Sequence, residues 1–342
     1  MLTPLACPSC GAPFSPDATG RVFTCTFCGA SARAERRMVP AALFRASLER
    51  FERADRGHDD IVAIAGAHYR VLGRVARGES SDVFLAERAR RLTERVLLKV
   101  LRAPGDADLL EREWRTLEAL RASKAPGTPQ FSQRLPLPVG RGVLQAPGLA
   151  SRPCLVFGDK SGFVHTFDDV IAAYPGGLDP RHAVWMWRRL LELLGWVHQS
   201  GWAHGALLPQ HLLVHARDHG VAVVGWSCAQ RLGGAEPLDA VDPARHAFYP
   251  PALLSGAPPS AASDLAMAAR CVAYAADGGH VRVPPAFPEP LAALLRPYVE
   301  ADTPPADDAR QLEQRVSAAA REAFGPRAYL HLSMPGWRRA PP

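Results

Sequence analysis

Two Cys-x-x-Cys-Gly units near the N-terminus constrain this chain more tightly than any other feature in it. They read Cys7-Pro8-Ser9-Cys10-Gly11 and Cys25-Thr26-Phe27-Cys28-Gly29. A two-residue spacer lets both thiolates of a pair reach one ion, and the glycine that follows permits a tight backbone turn. Residues 11–24, between the pairs, are enough for a hairpin. Four thiolates close a tetrahedral site and leave no position for a substrate. The metal is therefore expected to be structural, Zn2+, with iron as the other tetrathiolate metal that the spacing admits. A segment this short cannot bury enough apolar surface to fold alone, whereas metal binding supplies on the order of 10–16 kcal/mol.

This unit, residues 1–34, resembles a zinc ribbon with Cys7, Cys10, Cys25 and Cys28 as ligands. Of the seven cysteines, the other three (Cys154, Cys228 and Cys271) have no metal spacing and are expected to be small buried hydrophobes. That usage is no disulfide framework and suits a reducing, cytoplasmic setting. No apolar run reaches the roughly 18–20 residues of a membrane helix, and the first residues are not expected to form a secretory signal. The net charge of +6 is spread over 40 Lys+Arg and 34 Asp+Glu. No basic block is dense enough to indicate nucleic-acid binding, and Arg33, Arg36 and Arg37 lack interleaved aromatics.

A length of 342 residues allows one large domain and a small one, and 47% hydrophobic residues suffice for a sizeable core. Residues 35–66 are expected to be a helical linker, with Phe44, Leu48 and Phe51 on one face. Residues 67–325 form the large domain and 326–342 a C-terminal tail that frays at Trp337, Arg338 and Arg339. Within the large domain, apolar alternation predicts strands over 69–75, 83–86, 96–101, 131–135, 155–157 and 163–166. A helix is predicted over 107–121. Further helices follow over 182–199, 263–276 and 308–324, and a hairpin over 212–224 turns at Asp218-His219-Gly220. His215 and His219 are expected to face solvent there. Strands first and helices later imply an α+β domain of two lobes.

From Tyr69 to Phe324 the motif order resembles a protein kinase. Ala76-Arg77-Gly78-Glu79-Ser80-Ser81 resembles the glycine-rich loop, with Gly78 alone retained of its three glycines. Lys99 matches the strand lysine that contacts nucleotide phosphates, and Glu113 the helix glutamate that pairs with it. In the catalytic loop, His204-Gly205-Ala206 stands where kinases carry His-Arg-Asp, Leu208 replaces the usual lysine, and His211 replaces the metal-binding asparagine. Gly225-Trp226-Ser227 stands where Asp-Phe-Gly belongs. Asp264 matches the buried aspartate that anchors the catalytic loop. Tyr249-Pro250-Pro251-Ala252 matches the end of the activation segment without its glutamate.

The resemblance implies a two-lobed kinase-like fold whose catalytic positions, Ala206, His211 and Gly225, are degenerate. A methyl group cannot accept a substrate hydroxyl proton, and losing such a base typically costs about 10²–10⁴-fold in rate. Gly225 offers no carboxylate, and an imidazole is a poor ligand for a hard cation such as Mg2+. Gly205 replaces the phosphate-binding arginine, and the only hydroxyl side chains between Gly225 and Pro251 are Ser227 and Tyr249, so control by activation-loop phosphorylation is not expected. The expectation is a pseudokinase that acts as a scaffold or allosteric protein-binding module, with Gly78, Lys99 and Glu113 as a residual ATP site. The alternatives are an atypical ATP-dependent transferase recruiting carboxylates such as Asp218 or Asp239, and a nucleic-acid adaptor. The chain is also similar to zinc-ribbon kinase-like proteins of bacterial stress-response gene sets, through the run from His204 to Pro209, Asp218-His219-Gly220 and Gly225-Trp226. Those gene sets also encode von Willebrand A domain proteins and protein phosphatases, which the resemblance implies as partners.

Overall fold

The computed structural model describes residues 12, 22–24, 27, 31–33, 61–78, 80–89, 94–146, 150–160 and 162–334. Cys7, Cys10, Cys25 and Cys28, the stripe Phe44, Leu48 and Phe51, and the terminal Trp337, Arg338 and Arg339 lie outside the described residues.

In the N-terminal region, β1 (Val22–Thr24) pairs antiparallel with β2 (Ser31–Arg33), Thr24 opposite Ser31. Further on, β3 (Ile61–Ile64), β4 (Ala67–Arg77), β5 (Ser81–Arg88), β6 (Arg95–Leu101), β7 (Leu137–Gln145) and β8 (Arg152–Gly158) close into a barrel, in the order β3-β4-β5-β6-β8-β7. Alternation explains β6. Val96, Leu98 and Val100 point into the barrel core with Val62, Ile64, Tyr69 and Val156, which leaves Lys99 on the other face. Beside the barrel lies α1 (Ala107–Arg121), whose buried Leu110, Glu113, Leu117 and Leu120 recur at helical spacing.

The larger lobe follows. It contains α2 (Thr128–Phe131), β9 (His165–Thr166), α3 (Phe167–Ala173), α4 (Pro180–Gln199), β10 (Trp202–Ala203), β11 (Leu212–His215), β12 (Gly220–Val223) and β13 (Gln230–Arg231). It ends with α5 (Pro251–Leu254), α6 (Ala261–Ala276), α7 (Glu289–Val299) and α8 (Ala309–Phe324). Helices α4 and α6 are fixed at their starts. Pro180 opens α4 and the Asp179 carboxylate accepts from the Arg181 amide, while Ser260 and Ser263 cap α6 reciprocally. Trp187, Trp196 and Trp226 are fully buried in the core around α4 and α6. No helix among the described residues is long and apolar enough to cross a membrane.

Several expectations need correction. Residues 131–135 form no strand. The chain there is α2 and a 3-10 turn, because Pro129 opens a helical turn and Phe131 and Leu135 act at a spacing of four. Phe131 stacks on Trp196 at 5.9 Å and Leu135 is fully buried. Of residues 163–166 only His165 and Thr166 are a strand. The barrel begins at Ile61, inside the span assigned to the linker. Residues 326–334, the described part of the span assigned to the tail, pack against the large lobe. Leu332 is 2% exposed, Tyr329 Oη donates to the Arg217 carbonyl at 2.9 Å, and Tyr174 Oη donates to the Ser333 carbonyl. That segment covers His219, which is 4% exposed and not solvated; the flanking His215 is half-buried.

Candidate functional site

A cavity of about 900 Å3 separates the lobes. Its walls include Val83, Leu85, Leu97, Phe157 and Leu213. The β-sheet register sets Lys99 between Val83 on β5 and Leu155 on β8, so its side chain emerges into this cleft. The Lys99 ammonium is ion-paired with Glu113 Oε2 from α1, and the two side chains are only 12% and 2% exposed. The second Glu113 oxygen, Oε1, accepts from the Trp226 amide at 3.2 Å. One carboxylate thus ties barrel, helix and large lobe together. Beside it, Arg112 is ion-paired with Asp239. In the loop above, the Gly78 amide donates to the Ser81 carbonyl at 2.8 Å.

The floor is built around Asp264. Its carboxylate accepts from the amides of His204 and Gly205, at 2.8 and 2.9 Å, and contacts His198 Nε2 at 3.0 Å. His204 Nε2 donates to the Val224 carbonyl at 3.1 Å while its Nδ1 accepts from the Ala206 amide at 3.3 Å, which fixes a neutral tautomer. Burial pushes its pKa down to about 4 against the opposing pull of Asp264. The buried Trp226 indole packs edge-on against the His204 ring, at 4.5 Å.

Ala206, His211 and Gly225 meet on this floor. His211 Nδ1 donates to the Ala206 carbonyl at 2.7 Å, leaving Nε2 as a bare lone pair. Burial lowers the His211 pKa, partly offset by the Ala206 hydrogen bond. Gly225 has φ +79°, and a Cβ built there would lie 2.7–2.8 Å from the His211 ring atoms. The imidazole occupies the space that a side chain at position 225 would need. Gly205, at φ +76°, is equally closed to substitution: a Cβ there would come within 2.8 Å of the Cys228 carbonyl and 3.0 Å of Leu238. The segment after Gly225 therefore lies directly against the backbone at Gly205.

Among the described residues, the carboxylates lining the cleft are Glu113, Asp159 and Asp169. Asp169 accepts from the Thr166 amide and hydroxyl, at 2.7 and 2.9 Å, in capping α3. Neither Asp218 nor Asp239 lines the cleft; Asp218 pairs with His215 and Arg217, at 3.2 and 3.1 Å, in the β11–β12 turn. Among the described residues no group of three or more His, Cys, Asp or Glu is placed to hold a metal ion. Cys154, Cys228 and Cys271 are buried.

Sequence reasoning missed three functional positions. It placed His211 as a lost ligand without seeing that its ring fills the neighbouring site. It did not find the Trp226 amide on Glu113. Nor did it find Arg270, a buried cation near α5 whose Nη1 donates to the Tyr249 carbonyl at 2.7 Å and whose Nε donates to the Tyr298 carbonyl at 3.3 Å.

A six-strand barrel bearing a paired lysine, a helical lobe and a cleft between them define a protein-kinase-like fold. Solved structures agree. The chain is similar to the BubR1 kinase domain (TM-score 0.59, 12% identity, covering 82% of this chain and 93% of that one). It is also similar to vaccinia related kinase 3 (TM-score 0.56, 16% identity, 79% and 92%). A third likeness is to a Toxoplasma gondii specific rhoptry antigen kinase domain (TM-score 0.56, 14% identity, 83% and 93%). No family model matches the chain, and no curated protein matches it by sequence.

Proposed function

We propose that this protein is a zinc-stabilised pseudokinase that works by binding other proteins and transfers no phosphoryl group. The observation that carries this reading is the His211 imidazole lying where a side chain at position 225 would stand. Ala206 supplies no proton acceptor, and every carboxylate on the cleft wall whose hydrogen bonds are described already has a structural task. The retained Lys99–Glu113 pair then serves small-lobe register and leaves room for nucleotide without catalysis. The zinc ribbon is read from the sequence spacing of the two Cys-x-x-Cys-Gly units, and the antiparallel pairing of Val22–Thr24 with Ser31–Arg33 beside the second unit is compatible with it. Cys7, Cys10, Cys25 and Cys28 would hold Zn2+, whose contribution is structural. A von Willebrand A domain protein or a protein phosphatase is the first partner to test.

Incubation with labelled ATP and Mg2+ or Mn2+ should give no autophosphorylation and no transfer to generic protein substrates. Metal-dependent turnover that survives Ala206→Gly but is lost in Lys99→Met would support the alternative, an atypical transferase, which the open cleft and the intact Lys99–Glu113 pair favour. Cys7→Ser with Cys10→Ser should release about one zinc per chain while the kinase-like body keeps its melting transition.

A further inference from the structure

A second cavity, of about 210 Å3, lies away from the cleft, between α4, α8, the segment 325–330 and Phe27. Five arginines line it: Arg181, Arg188, Arg189, Arg321 and Arg327. Three of them are neutralised. Arg181 pairs with Asp179 at 2.7 Å, Arg189 with Glu192 at 3.0 Å, and Arg188, whose side chain is 15% exposed, with Glu313 at 2.9 Å. Arg321 and Arg327 have no carboxylate at ion-pair distance among the described residues. The Arg327 guanidinium reaches only the Ser317 hydroxyl, to which Nη2 donates at 3.4 Å; the same hydroxyl oxygen accepts from Arg188 Nε at 2.6 Å. Burial first, and then the positive charge of Arg188, Arg189 and Arg321, holds Arg327 below its usual pKa against the pull of Glu313. Like charges gathered around a concavity repel unless an anion sits among them.

The opposite wall is aromatic. His219 is stacked between Trp185, at 4.4 Å and 4°, and Tyr329, at 4.7 Å and 23°. Phe27 meets His219 and Tyr329 edge-on, at 5.6 and 5.3 Å.

We infer that this cavity is an anion site that takes one phosphate monoester on an aromatic stem. Two unneutralised guanidinium groups match the charge of about −2 that such a group carries near pH 7. Guanidinium forks are suited to bidentate contact with phosphate oxygens. The Trp185–His219–Tyr329 stack and Phe27 offer the stem a ring surface. A volume of 210 Å3 falls below the roughly 300–1,000 Å3 of sites that enclose a drug-sized ligand, and so suits a phosphate on a single ring better than a whole nucleotide. The ester can come from a small metabolite or from a phosphotyrosine of a partner protein; the recognising chemistry is the same.

The test is titration calorimetry on the full chain with phenyl phosphate, then with a short peptide carrying one phosphotyrosine. Saturable one-to-one binding of phenyl phosphate is expected. It should weaken by about tenfold or more in Arg321→Ala/Arg327→Ala, where two charge-assisted contacts are gone. Both residues are exposed and their removal relieves like-charge repulsion, so the melting temperature of the unliganded variant should not fall; Arg327→Gln alone repeats the measurement if it does. A peptide that binds about tenfold more tightly than phenyl phosphate assigns the site to a protein partner, and equal affinity assigns it to a small ester. The inference is overturned if phenyl phosphate shows no saturable binding up to about 10 mM, or if the arginine variants bind it undiminished. Neither outcome bears on phosphoryl transfer in the cleft, which has its own assay.

Discussion

On its small-lobe side the cleft keeps a buried ion pair, Lys99 with Glu113, held further by the Trp226 amide. On its large-lobe side, the positions facing that pair carry a methyl group at 206, an imidazole at 211 and bare backbone at 225. The difference follows from what each group leaves behind when it is lost. Removing Glu113 would strand an ammonium and an amide out of water, a cost of several kcal/mol. A carboxylate that only holds a metal or takes a substrate proton has no partner in the protein, so its removal leaves nothing unpaired. Asp264 belongs to the first kind although it stands on the large-lobe side, since it answers two backbone amides and a histidine. Contacts that hold the fold persist here whichever lobe they occupy.

That distinction can be broken by substitution. Asp264→Ala should be the most damaging change, about 4 kcal/mol in denaturant unfolding, because it leaves buried donors without an acceptor. A loss under about 1 kcal/mol would show that the catalytic loop does not depend on it. Gly225→Ala should cost about 3 kcal/mol, from the left-handed backbone and the clash with His211 together. His211→Ala in the same chain should recover the part due to the clash, and no recovery would mean that the ring does not fill that space.

Acid probes the cleft floor at His204 and the second cavity at His219. His204 and His219 are each pushed down to about 4 by burial, from the ordinary 6.5. Between these values the unfolded chain binds more protons than the folded one. Stability is therefore complete above about pH 6.5 and is lost as the pH falls toward 4, by about 2 kcal/mol per histidine at pH 5. Melting curves recorded from pH 7 to 5 should show the decline, and His219→Gln should roughly halve it. Glu113→Gln keeps a hydrogen-bonding group but removes the charge, and should cost about 1–2 kcal/mol. Gly78→Ala should be the mildest, within about 0.5 kcal/mol, since an added Cβ would approach only the Ser81 carbonyl, at 3.4 Å. A large loss there would give the small-lobe loop a steric constraint like that of Gly225.

Much of the architecture was legible in sequence because its periodicities are long and regular. The bounds of α1 follow from Leu110, Leu117 and Leu120, and those of β6 from alternation between Val96 and Val100. The Lys99–Glu113 pairing was legible from motif order. What escaped depended on partners distant in the chain. Phe131 and Leu135 suit a strand as well as a turn of helix until Trp196 is beside them. β7 carries Pro138, Gly140 and Gly142, poor strand formers, and exposes Leu137, Val139 and Val143, so no turn-to-turn apolar run announces it. His219 looks like a solvated turn residue unless residues 329 and 330 are known to fold back over it. The meeting of His211 with Gly225 joins residues that no local pattern connects.

The backbone pressed against Gly205 has a consequence for recognition. The stretch from Trp226 to Pro259 is tethered by that contact, by the Arg112–Asp239 pair and by the carbonyls around Arg270. A protein docking there would meet a segment already held at three places and would lose less entropy in ordering it than with a loop held only at its ends. Encounter would then be limited by orientation, with an association rate set by surface charge and a lifetime set by fit.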